Sequence, residues 1–71
     1  MTILIFKTPI EIAKLSDILL HLNKITPETN LLISLSGNTY ITKISIFPDV
    51  PAEKVANMEK MVSEFGATLN L

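Results

Sequence analysis

The chain has no cysteine, no arginine, only two glycines and a net charge of −1 over 71 residues. Without cysteine there is neither a disulfide nor a thiolate metal site, and the composition is compatible with a reducing cytosol. Without arginine the planar fork that grips phosphate or carboxylate through paired bonds is missing; all six basic residues are Lys. A charge so close to zero exerts no long-range pull on nucleic acid or an acidic membrane. Long apolar runs are absent too. The first, Ile3-Leu4-Ile5-Phe6, follows no basic segment and is too short for a signal peptide or a membrane span. These absences predict a soluble cytoplasmic protein with no membrane and no nucleic-acid partner. The leaning toward Ile, Lys and Asn suggests an AT-rich genome, a class that includes many bacteria and their phages.

A chain of 71 residues makes a single domain, residues 1–71, whose core supplies about 3–5 kcal/mol unless a metal or a second chain helps. Its clearest local signal is a hairpin over residues 31–47. Two runs of β-type residues flank Gly37-Asn38, and glycine provides the positive φ that a tight primed turn needs. A two-residue link sets Leu35 opposite Tyr40, Ile33 opposite Thr42 and Leu31 opposite Ile44. That register places these residues and Ile46 on one sheet face. Leu32, Ser34, Ser36, Thr39, Ile41, Lys43, Ser45 and Phe47 fall on the other.

A first strand is predicted over residues 2–6, apolar on both faces as a central strand is. Thr8-Pro9-Ile10-Glu11 reads as a capping box with proline at the first helical position. Ile12, Leu15, Ile18, Leu19 and Leu22 then recur as a buried helical stripe, opposite Lys14, Asp17, His21 and Lys24. Pro48 and Pro51 break the third strand and open a second helix with the stripe Val55, Met58, Val62 and Phe65; Gly66 suits its C-terminal cap. Residues 67–71 alternate again, with Ala67, Leu69 and Leu71 facing in, and read as a short edge strand.

The order β-α-β-β-α-β, with right-handed crossovers, predicts an α+β two-layer sandwich. It has one antiparallel sheet of order 4-1-3-2 and both helices on one face. The pattern resembles a minimal ferredoxin-like fold over the whole chain. No sequence family comes with the resemblance.

Chemistry is scarce. Asp17 and His21 stand one helical turn apart, but two ligands make no metal site, and no third His or Cys completes one. Met58 and Met61 fall where a small core needs adaptable filler. The turn at Ser36-Gly37-Asn38-Thr39 has the residues any hairpin turn needs. RNA-recognition modules of this topology carry aromatics in a basic, glycine-containing motif on the third strand, and Tyr-Ile-Thr-Lys-Ile-Ser-Ile-Phe lacks it. Neither a nucleophile–base pair, a carboxylate dyad nor a cofactor loop is visible. The expectation is a protein that is not an enzyme and holds no cofactor.

What remains is surface. A sheet face without helices is normally polar. Here the first strand must turn either Ile3 and Ile5 or Leu4 and Phe6 away from the helices, and Leu32, Ile41 and Phe47 share that open face with Lys43. Ile3, Ile5, Leu32, Ile41, Lys43 and Phe47 are therefore the candidate partner-binding residues: an apolar centre in a polar surround. Residues 30–36 and 67–71 have neither proline nor charge to discourage strand pairing. The reading is a self-associating or partner-binding module, such as a phage-encoded or regulatory inhibitor. The second reading is a small-ligand regulatory domain at a subunit interface, using Ser34, Ser36, Thr39 and Asn70.

Overall fold

A computed structural model describes residues 2–71. Its elements are β1 (Thr2–Glu11), α1 (Leu15–Ile25), β2 (Asn30–Ser36), β3 (Tyr40–Phe47), α2 (Val55–Glu64) and β4 (Ala67–Asn70). Short 3-10 turns, Ile12–Lys14 and Ala52–Lys54, lead into the two helices. The sheet is antiparallel in the order β2-β3-β1-β4, and the helices cover one face. This is the two-layer α+β sandwich of ferredoxin-like topology that the pattern predicts. The core joins Leu4 and Phe6 of β1, Ile41, Ile44 and Ile46 of β3, Ile18 and Leu22 of α1, and Met58, Met61 and Val62 of α2.

Three local expectations give way. The first is the capping box. Thr8, Pro9, Ile10 and Glu11 belong to β1, and no side chain caps the turn that follows. Residues 6–9 of β1 bulge away from β3, and the ladder resumes with Ile10 opposite Ile41 and Glu11 opposite Tyr40. Proline cannot donate to a ladder, and the bulge is where a strand tolerates it. The Ile12 N–H then donates to the Thr39 carbonyl at 2.9 Å, tying this end of β1 to the hairpin tip. Drawn out of the helix in this way, Ile12 lies exposed instead of on the buried stripe.

The second is the hairpin register. Gly37 and Asn38 both have positive φ, 62° and 60°, and the Thr39 N–H donates to the Ser36 carbonyl at 3.3 Å, as a primed turn requires. Yet Ser36 pairs with Tyr40, so Thr39 is left over, and Thr42 has no partner on β2. Beyond it Leu35 faces Ile41, Ile33 faces Ile44 and Leu31 faces Ile46. The register on β1 breaks at the same residue, between Ile5 opposite Lys43 and Ile10 opposite Ile41.

The cause is competition for the core. Unbroken alternation back from Ile44 would send Thr42 and Tyr40 inward and Ile41 out. One extra residue at Thr42 reverses the alternation, so Ile41 joins Ile44 and Ile46 inside, all three fully buried. The displaced Thr42 hydroxyl donates to the Ser34 carbonyl at 3.2 Å and so anchors the bulge to β2.

The third is Leu71, predicted to face in. It lies past the end of β4 and is 67% exposed. Gly66 behaves as expected: at φ 76° its N–H donates to the Ser63 carbonyl at 3.1 Å, ending α2 and turning the chain into β4.

Candidate protein-interaction surface

Leu4 and Phe6 are buried under the helices, so Ile3 and Ile5 point to the open face. Two cross-strand rows define that face. One runs Leu32, Ser45, Ile3, Asn70; the other runs Ser34, Lys43, Ile5, Thr68. Phe47 stands beyond them, opposite Asn30. Ile41 does not belong here. It is fully buried in the core, because the bulge at Thr42 turns it toward the helices, and Tyr40 is exposed in its place. Apolar and polar side chains alternate along the first row, and in the second Ile5 stands alone among polar neighbours. The face is therefore a mosaic and not an apolar centre inside a polar surround, and Ser45 is itself buried between its neighbours.

Apolar exposure is greatest at one side of the sheet. β2 is an edge strand of seven residues, Asn-Leu-Leu-Ile-Ser-Leu-Ser, with no charge and no proline. Leu32 is 62% exposed on its open side and Leu35 40% exposed on its helix side. Between β2 and α1 runs an open groove of about 500 Å³ lined by Ser16, Leu19, Leu20, Asn23, Pro27 and Leu31. Leu20 is 55% exposed. The groove escaped the sequence reading, although Leu20 gave a signal: it is an apolar residue beside, and not on, the buried stripe of α1.

The remaining sequence candidates do not converge. Ser34 and Ser36 lie on β2 and Asn70 on β4, with β3 and β1 between them. Three strand spacings separate them by about 14 Å. The Thr39 hydroxyl donates to the Gly37 carbonyl at 2.7 Å. His21 bonds through Nδ1 to the backbone carbonyl of Asp17 at 2.7 Å, not to its carboxylate, so Nδ1 carries the proton. Its ring also stands edge-on to Phe65, centroids 5.3 Å apart. This histidine helps hold α1 against the end of α2.

Glu28 borders a separate cavity of about 260 Å³ among the loops before β2 and before α2, with Asp49 and Lys54. Among the described residues no three His, Cys, Asp or Glu side chains are grouped as metal ligands, and no helix is long and apolar enough to cross a membrane. Comparison with protein-family models, with curated proteins and with solved structures returned no match.

Proposed function

We propose that this chain is a non-enzymatic protein-binding module that accepts an extended strand along β2. One observation carries the reading: the longer edge of the sheet is uncharged, free of proline, and flanked by exposed leucines on both of its faces. An edge strand presents unpaired N–H and C=O groups. Natural edges are usually blunted by charge, proline or a covering element, and β2 has none of these devices.

A strand laid beside β2 would take up that row of backbone groups, which supplies affinity. Its alternate side chains would fall into the groove beneath Leu19 and Leu20 on one side and against Leu32 on the other, which supplies selectivity. Burying the exposed parts of Leu20, Leu32 and Leu35 contributes roughly 1–2 kcal/mol each before association entropy is subtracted. A module that caps a sheet edge in this way serves as a regulatory inhibitor or as a subunit of a larger assembly. The cysteine-free composition accords with action in the cytoplasm.

Affinity purification from the native cell with two baits tests this, the natural chain and the Leu32→Lys/Leu35→Lys double variant. Both leucines are exposed enough for lysine to be accommodated, and circular dichroism verifies that the variant is folded. The expected result is a protein, this chain or another, retained by the first bait and lost from the second. Identical recoveries from both baits would rule β2 out as the binding edge.

A further inference from the structure

Resting on that reading, we infer that the strand accepted by β2 is the β2 of a second copy. The two run antiparallel about a twofold axis at Ile33 and join two four-stranded sheets into one of eight.

The pattern along β2 is self-complementary. In an antiparallel pair, side chains opposite each other share a sheet face. A twofold axis that keeps both helical layers on the same side must therefore match residues of like parity. Centring it on Ile33 engages the whole of Asn30–Ser36. Ile33 then meets its own copy, Leu31 meets the second copy's Leu35, Leu32 meets Ser34, and Asn30 meets Ser36. Like parity also means that the outward N–H and C=O groups of one copy face those of the other. β2 contributes no extra residue at its register break with β3, so its own row of groups is continuous.

On the helix side the second copy's Leu35 comes down opposite Leu31, which lines the groove, and is covered by Leu19 and Leu20. Apolar meets apolar where water is excluded, and serine and asparagine lie on the wetter open face.

Charge raises no obstacle to a second copy. An interface that meets itself sets every charge against its own sign. β2 and the groove residues that flank it carry no charge at all, and the whole chain carries only −1. The size of the patch sets the strength. β2 with its groove is about half of the roughly 20–30 residues a side that a standard interface uses. The dimer is therefore weak and reversible, with a dissociation constant on the order of 10 µM.

Two measurements test this together. In sedimentation equilibrium the natural chain should be mostly dimer at about 100 µM and mostly monomer at about 1 µM, and Leu32→Lys/Leu35→Lys should remain monomeric throughout. For the register, Ile33→Cys in this cysteine-free chain should form a disulfide dimer under mild oxidation, since directly opposed residues of an antiparallel pair lie about 4.5–5.5 Å apart. Asn30→Cys, about 20 Å from its own copy, should cross-link only when mixed with Ser36→Cys. That mixed pair keeps the register testable even if Ile33→Cys is poorly folded.

A natural chain that stays monomeric at about 100 µM overturns the inference, as does a dimer in which neither probe cross-links. If the chain is monomeric while the double-lysine bait still loses a protein partner, the second copy is the wrong occupant and the strand-accepting edge stands. If the bait loses nothing either, both fall.

Discussion

The two edges of the sheet end in different ways. β4 has four residues, and its Ala67 is buried against α2 and the core. Its outward side chains, Thr68 and Asn70, are small and polar, and the Thr68 hydroxyl reaches back to the Ile5 carbonyl at 3.5 Å. β2 is nearly twice as long, with exposed leucines on both faces and a groove where α1 stops short of covering it. Neither edge is protected by charge. Shortness alone blunts β4, since a strand of four residues offers a visitor few bonds. A sheet of this size can therefore leave one margin closed and the other open by length and helix placement alone.

Between the two edges, the break at Thr42 decides which side chains of β3 face out. The largest expected effect is at Ile41. Lysine there would bury an unpaired charge at a fully enclosed site, a loss on the scale of the domain's whole stability of about 3–5 kcal/mol. Ile41→Lys is expected to show no cooperative thermal transition by circular dichroism. A well-folded Ile41→Lys would restore the unbroken hairpin register and return residue 41 to the open face, while Leu32 and Leu35, whose facing is the same in either register, would keep their places.

Next come the two glycines that adjoin the edges, Gly37 after β2 and Gly66 before β4. A Cβ has room at both: the nearest atom at Gly37 is the Thr39 hydroxyl at 3.8 Å, and Gly66 has nothing within 4 Å. Only the positive φ opposes alanine. Gly37→Ala and Gly66→Ala are each expected to lose about 1–2 kcal/mol in urea denaturation. Equal losses would mean that both edges are equally anchored; a near-zero loss at Gly37 would mean that the open edge frays at its turn.

The smallest effect is expected at β4. Thr68→Lys/Asn70→Lys should change stability by no more than about 0.5 kcal/mol and leave sedimentation like that of the natural chain. Loss of association in that variant would transfer the binding edge from β2 to β4.

Much of this was legible along the chain. Element order, sheet order, the buried stripes of both helices apart from Ile12, the positive-φ turn and the cap at Gly66 follow from periodicity and from the conformational freedom of glycine, which act over a few residues. The outward-facing Leu32, Lys43 and Phe47 were legible for the same reason. An all-apolar first strand left Ile3 and Ile5 or Leu4 and Phe6 equally able to face out, and burial of Leu4 and Phe6 under the helices decides between them. Ile41 was not legible. Alternation counted from a two-residue turn puts it outside, and nothing near it in sequence announces the extra residue at Thr42. The groove was hidden as well, since it exists only between a helix and a strand that meet through the fold.

Local chemistry along the chain settles what each segment is able to be: which stretches extend, which coil, where the chain turns, and that neither thiol nor guanidinium chemistry is available to it. How those segments register comes from packing between parts distant along the chain. Thr8-Pro9-Ile10-Glu11 has the local chemistry of a helix cap, and pairing of Ile10 and Glu11 with β3 draws it into a strand. Ile41 has the local parity of an exposed residue, and a bulge that brings a third isoleucine of β3 under the helices turns it inward. In the first place a capping preference worth about 1 kcal/mol yields to ladder bonds; in the second the primed turn is kept and regular alternation yields to the burial of a branched apolar side chain worth roughly 1.5–3 kcal/mol.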